Sequence, residues 1–237
     1  MEKINISQIG VGYWGPNLLR NLVSNQNVKL KTVVDLSTER RQFIEDQYPG
    51  IKTTDDINLV MNDTSIHAVV ISTPVETHYD LAIKALNAGK HILVEKPMAT
   101  SSDEVKAIDT LAQQNNLIAM VGHTFLYNNT VRTIKKLIDD GELGEIRYIY
   151  SQRVNLGRIR SDVDALWNLA PHDISIIQYW LNEPNPIQVD RHGMSFVQEG
   201  IDDVVFMNIK YPNNVMANIH VSWLDPRKIR RMTVVGS

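Results

Sequence analysis

The stretch His91-Ile-Leu-Val-Glu95-Lys96-Pro97 has the apolar length of a buried strand and ends in a carboxylate, an amine and a residue that cannot extend a ladder. Such a run delivers polar groups to a strand's carboxyl end, the edge at which open parallel sheets hold their ligands. A glycine-rich stretch, Gly10-Val-Gly12-Tyr13-Trp14-Gly15, follows a strand-like segment and opens a helix-like one. Glycines in that setting permit a tight turn and a close approach of backbone to a pyrophosphate. The helix amino end adds unpaired N–H groups and about half a positive charge. Twenty residues past Gly15, where the next strand-like run ends, stands Asp35, placed to accept hydrogen bonds from an adenosine ribose. Together these features predict a bound dinucleotide.

An acid at position 35 repels a 2′-phosphate, which favours NAD, while Arg40 and Arg41 keep NADP open. Ser72-Thr73-Pro74 ends another strand-like run, with Thr77 and His78 close behind. Their polar groups are candidates for the cofactor's ribose or phosphates, and helix capping is the alternative for Thr77 and His78. Tyr13, Trp14 and Glu95 are expected to touch the cofactor as well. Beside a nicotinamide, a partly desolvated Lys96 would have its pKa pressed downward, which suits proton traffic or a hydrogen bond to a carbonyl oxygen. A lysine paired only for structure is the alternative. Later in the chain, Asn168 and His172 are four apart and share a face if helical. Asp173 on the neighbouring flank could orient a histidine or cap a backbone. A histidine titrates where a proton must be taken from an alcohol, although a lone helix histidine is more often structural.

These groups need two kinds of scaffold. Up to about residue 122, strand candidates at Ile4–Ile9, Val28–Val34, Ala68–Ser72, His91–Val94 and Leu117–Val121 alternate with helix candidates. The helices are expected over 16–24, 38–47, 55–61, 77–88 and 102–115, and Pro16, Ser101 with Glu104, and Gly89 punctuate them. This is a doubly wound parallel sheet, an α/β Rossmann domain over 1–122. After Gly122 come helices over 129–140 and 164–181, with strands expected over 146–154, 187–196, 203–211, 215–221 and 230–235. That pattern predicts an α+β substrate-binding domain over 123–237 with a mostly antiparallel sheet, joined directly to the first so that a cleft forms between them. The last apolar strand stops at Gly236-Ser237, so either this sheet is small or the chain is cut short.

Composition narrows the function. A net charge of -3 without a long basic block argues against nucleic acid or an anionic membrane as partner. The absence of cysteine excludes disulfides, thiolate catalysis and Cys-ligated zinc, and the seven histidines show no compact metal spacing. No apolar run has the length of a membrane span and Met1 leads straight into a strand, so a cytoplasmic protein with a small-molecule substrate is expected.

Gly10-Val-Gly-Tyr-Trp-Gly15, Glu95-Lys-Pro97 and Pro171-His-Asp173, in this order and spacing, resemble the glucose-fructose oxidoreductase / inositol dehydrogenase (Gfo/Idh/MocA) family. The resemblance implies hydride transfer between a nicotinamide and a sugar or cyclitol carbon. It also implies a substrate domain that often mediates homo-oligomers through its sheet, Lys96 beside the nicotinamide and the reacting oxygen, and His172 as acid/base. The chain departs from the family at Asn168, where many members carry an aspartate, which shifts acid/base duty towards His172 and Lys96. It also ends earlier than family members, whose substrate sheet continues. More narrowly, Arg153-Val-Asn155-Leu-Gly-Arg158-Ile-Arg160, Trp167 to Asp173 and Val221 to Pro226 look similar to members that oxidise the 3-hydroxyl of UDP-N-acetylglucosamine-type sugars. Arg153, Arg158 and Arg160 in one cleft-facing loop would suit a diphosphate or carboxylate, with Asn155 and Asn168 as further substrate contacts. A dehydrogenase of a free sugar or inositol and a cofactor-binding regulator without turnover are the rival readings.

Overall fold

A computed structural model describes residues 3–237, which form two compact units, 3–122 and 123–237. The first unit runs β1 (Ile4–Ile9), α1 (Gly15–Ser24), β2 (Val28–Val34), α2 (Thr38–Gln47), β3 (Lys52–Thr54), α3 (Asn58–Met61) and β4 (Ala68–Ile71). It continues through α4 (His78–Asn87), β5 (His91–Val94), α5 (Ser102–Gln114) and β6 (Ala119–Val121). The sheet is parallel throughout, in the order β3-β2-β1-β4-β5-β6. β4 and most of β5 are apolar because helices cover both faces, and Val69, Ile71, Ile92 and Val94 are buried in one core with Ala82, Leu86 and Ile108 from the helices. Helix starts follow local chemistry. Ser37 caps α2, and Ser101 with Glu104 forms a full capping box on α5. Strand order reverses between β1 and β4, so the loops leaving those two strands lie at the sheet's switch point.

The second unit comprises α6 (Asn129–Asp139), β7 (Tyr148–Leu156), α7 (Ala165–Trp180), β8 (Gln188–Met194), β9 (Val204–Lys210), β10 (Met216–Ser222) and β11 (Leu224–Val235). Its sheet has the order β11-β7-β10-β9-β8. One face, with Ile149, Val205, Met207, Ile209, Ile219 and Val221, packs in a core with Ile176, Ile177 and Trp180 of α7. The other face carries a Phe206–His220 stack, an Asn218–Asn208 hydrogen bond and half-exposed Tyr148 and Met216. The Trp180 indole donates to the Val131 carbonyl at 2.9 Å and so ties α7 to α6.

Several features differ from the sequence reading, among them β11, expected over 230–235, which begins at Leu224. β3 is an unforeseen strand, three residues long and without an apolar run, whose partner is β2 alone, and the helix expected over 55–61 is only the short α3. In the second sheet β7 and β10 pair in parallel, because the chain returns through α7, β8 and β9 before β10 settles beside β7. The other pairings there are antiparallel, as expected.

Candidate functional site

Gly10 leaves β1 with φ +87°, a conformation that favours glycine. A Cβ on Gly10 would stand 2.8 Å from the Ser72 carbonyl oxygen, and one on Gly15 would stand 2.7 Å from the Gly10 carbonyl oxygen. Around Gly12 the space is open, with the Arg40 guanidinium 3.6 Å from a Cβ position as the near neighbour. α1 starts at Trp14–Gly15 without a side-chain cap; Pro16 in its first turn has no N–H and the Asn17 N–H meets the Trp14 carbonyl at 3.0 Å, so the amides on offer to a ligand are those of the glycine loop that leads into the helix. A loop with room at its middle glycine and an uncapped helix start fits a dinucleotide pyrophosphate.

The loop is held from beneath by Gln8, a residue the sequence reading missed. Its side-chain amide, fully buried in β1, donates to the Gly10 carbonyl at 3.0 Å and the Gly15 carbonyl at 2.9 Å and lies 3.3 Å from the Ser72 hydroxyl. The signal was faint, since Gln8 is one of three polar residues of β1 and is set apart from Asn5 only by its burial. Ser72 was expected to face the cofactor, and instead its hydroxyl donates to the Gly10 carbonyl at 2.7 Å and its N–H to the Ile9 carbonyl at 2.8 Å. It braces the loop from within the protein.

Asp35 ends the β2 edge as expected. One carboxylate oxygen accepts the Val11 N–H at 2.8 Å and the other the Ser37 N–H at 2.9 Å, and each keeps a lone pair for a ribose hydroxyl. Val11, Glu39, Arg40 and Phe43 line an open hollow beside it, with Arg40 3.7 Å from the carboxylate. Arg41, kept open above for a 2′-phosphate, is committed elsewhere. It donates to the Asp35 and Leu36 carbonyls and pairs with Asp55 at 3.3 Å.

At the end of β5, the Glu95 carboxylate accepts the Lys96 N–H at 3.2 Å and a hydrogen bond from the Trp14 indole. Burial raises its pKa above the ordinary value, against those two contacts and the Lys96 charge. Gly122 leaves room for this carboxylate, since a Cβ there would meet Glu95 Oε1 at 3.1 Å. Glu95, Lys96 and the glycine loop through Trp14 therefore share the carboxyl edge of one sheet, and Lys96 is half-buried before a cis Lys96–Pro97 bond. Thr73 hydrogen-bonds Thr77 side chain to side chain at 2.7 Å, and Pro74 is exposed. His78, expected at the cofactor, is 2% exposed, with ring nitrogens at 2.8 Å from the Pro97 carbonyl and 2.9 Å from the Thr73 carbonyl. Both nitrogens face protein backbone, so His78 is removed from the cofactor contacts.

In the second unit His172 lies half-buried on α7, its ring edge-on to Phe125 with centroids 4.8 Å apart. Phe125 also carries the Arg153 guanidinium 4.7 Å above its ring. Arg153 was expected in a substrate loop. It is instead 6% exposed on β7, in a two-pronged ion pair with Asp173 at 2.6 and 3.2 Å. The Ser151 hydroxyl donates to the same carboxylate at 2.6 Å, so Asp173 pins α7 to β7 rather than orienting His172. Arg160 folds back onto Asp162, whose carboxyl it holds below the usual range, and Arg158 is exposed near the same carboxylate. Asn155 is half-buried near the end of β7. The Asn168 amide oxygen accepts the buried Trp223 indole N–H at 3.2 Å, a partner 55 residues away that no local pattern announced. Among the described residues no group of His, Asp or Glu is arranged to hold a metal.

Comparison with known proteins agrees with this layout. A family model described as the oxidoreductase family NAD-binding Rossmann fold, GFO_IDH_MocA, matches residues 4–123, and the GFO/IDH/MocA C-terminal domain matches residues 131–237. The chain belongs to the Gfo/Idh/MocA oxidoreductase family, and its first unit is an NAD-binding Rossmann domain. It is 28% identical over 184 residues to 4-carboxy-2-hydroxymuconate-6-semialdehyde dehydrogenase of Sphingobium, covering 74% of this chain and 58% of that protein. It is 30% identical over 132 residues to scyllo-inositol 2-dehydrogenase (NADP(+)) of Bacillus subtilis, covering 56% and 36%, and 28% identical over 180 residues to inositol 2-dehydrogenase of Salmonella typhimurium, covering 74% and 54%. The chain thus spans between about a third and three fifths of these relatives. Among solved structures, GenD2 from gentamicin A biosynthesis in complex with NAD superposes with a TM-score of 0.93 at 22% identity, covering 100% of this chain and 71% of that one. Scyllo-inositol dehydrogenase from Lactobacillus casei with NAD(H) and scyllo-inositol gives 0.89 at 20% identity, covering 100% and 74%. At such identities these two matches speak for the fold.

Proposed function

We propose that the protein is an NAD-dependent dehydrogenase of a ring hydroxyl, acting on a sugar or cyclitol. The observation that carries this reading is the lysine at the cofactor edge: Lys96 follows a buried central strand of the same parallel sheet whose switch point holds the glycine loop. NAD, when bound, supplies the hydride acceptor. Lys96 hydrogen-bonds the reacting oxygen and stabilises negative charge developing there, and His172 takes the hydroxyl proton. The Phe125 ring fixes the plane of His172, and the Arg153–Asp173 pair fixes the helix that presents it.

Within that class we place a UDP-linked amino sugar oxidised at C3. Its support is the residue pattern from Arg153 to Asp173 together with the exposed Arg158, whereas Arg153, buried, no longer contributes a charge to the substrate. The inositol dehydrogenases among the relatives favour an uncharged ring as the second reading. We further place a second copy of the chain against the open face of the second sheet.

The test is NADH formation by the purified protein with UDP-N-acetylglucosamine, its uronic acid, myo-inositol and scyllo-inositol in parallel. Turnover of a UDP-sugar is expected. Turnover confined to the inositols removes the nucleotide-sugar assignment, and none with any ring alcohol removes the dehydrogenase reading. Lys96→Ala should lower kcat by about 100-fold or more while NAD affinity changes little, because the interaction lost belongs to the reacting oxygen.

A further inference from the structure

β4 and β5 lie side by side in parallel, and their last paired residues are Ile71 and Val94. Their ladder ends one step later, with the Glu95 N–H on the Ile71 carbonyl at 2.9 Å. Past that point the regular sheet bonding stops. The Lys96 N–H turns to the carboxylate of its own neighbour Glu95, and Pro97 has no N–H to give. The chain that carries the Lys96 amine therefore runs beyond the sheet that would otherwise fix it.

A side chain takes over where the ladder stops. His78, the first residue of α4, places Nε2 at 2.9 Å from the Thr73 carbonyl, two residues beyond β4. The same ring places Nδ1 at 2.8 Å from the Pro97 carbonyl, the residue after Lys96. The ring thus fills the space between the loops that leave β4 and β5, with one nitrogen against a carbonyl of each. A neutral imidazole has one N–H, so one of the two carbonyls accepts from the ring while the other stands against the second nitrogen; burial lowers the ring's pKa and opposes the doubly protonated form that would donate to both. At 2% exposure the ring is closed off from ligand and solvent.

We propose that His78 is a positioning residue for Lys96: its ring, wedged between the Thr73 and Pro97 carbonyls and donating its one N–H to one of them, sets where the Lys96 amine stands at the cofactor edge. The inference rests on the reading of Lys96 as a catalytic group, and its test separates the two. His78→Ala and His78→Gln are made in the whole chain, and melting and NAD affinity are measured on each. The readout on Lys96 is its rate of acylation by acetic anhydride, followed by peptide mass spectrometry, with the exposed Lys106 as internal reference. This measurement needs no substrate.

In His78→Ala, acylation of Lys96 relative to Lys106 should rise by about threefold or more as the turn loosens. His78→Gln, which keeps one donor, should fall between this variant and the wild type. With a substrate turned over, kcat should drop by about tenfold or more with NAD affinity held within a few-fold, as misplacement of a reacting group requires. Unchanged acylation of Lys96 in a folded His78→Ala overturns the proposal. So does failure of both variants to fold, which would make His78 a core residue only. If the wild type turns over no ring alcohol, the dehydrogenase reading falls and the acylation result still decides the role of His78.

Discussion

Burial holds the Glu95 carboxyl above its ordinary value near 4.5, and the Lys96 N–H, the Lys96 charge and the Trp14 indole only partly oppose it. A raised carboxyl pKa means that the folded chain keeps its proton to higher pH than the unfolded chain. Stability is therefore given up as pH rises from about 4.5 through the folded pKa, and is level above it. Glu95→Gln removes that loss while keeping an acceptor for the Trp14 indole. Its melting temperature should gain on the wild type as pH rises above about 4.5 and the gain should then level off, and a difference that stays constant from pH 4.5 upward would refute this account of Glu95. The same residues show which parts of the site were legible. Gly10, Asp35, Glu95 and Lys96 stand just past strand ends, where the apolar runs and glycine spacing put them. Gln8, the His78 contacts and the Trp223–Asn168 bond were not legible, because their partners are backbone carbonyls or side chains brought close only by folding. Arg153 misled for the converse reason. An arginine in a polar stretch reads as a ligand group until the strand register turns it inward towards Asp173.

Between elements, the Arg153–Asp173 pair joins β7 to α7 with almost no solvent around it. Removing one partner strands the other's charge in a dry setting, so Arg153→Met should cost about 3–5 kcal/mol. Denaturation followed by tryptophan fluorescence can measure this, since Trp167, Trp180 and Trp223 all belong to the second unit. Replacing both partners, as Arg153→Met with Asp173→Leu, should recover much of that loss; a double variant as unstable as the single one would argue that the pair does more than neutralise itself. Most elements were legible at this scale: β1, β2, α2 and β5 have the limits their apolar periodicity predicts. The exceptions have physical causes. β3 is stabilised by an edge pairing rather than by its own side chains, and the parallel β7–β10 contact joins strands that hairpin patterns cannot relate.

For the molecule as a whole, no helix among the described residues is long and apolar enough to cross a membrane. The sheet face of the second unit that turns away from α7 bears Phe206, Met216 and Tyr148, each 40 to 49% exposed. If a second copy covers it, sedimentation should show a dimer or larger species, and Phe206→Asp should shift it towards monomer without altering NAD affinity. A wild-type monomer at micromolar concentration would remove the assembly from the proposal. One property of the glycine loop reaches beyond its chemistry. Trp14 is the sole tryptophan of residues 1–122, half-exposed at the start of α1, and reduced nicotinamide absorbs where indole emits. The loop thus carries its own lamp. Cofactor binding should dim it, Trp14→Phe should abolish most of that quenching, and occupancy of the Rossmann unit can be read optically before a substrate is in hand.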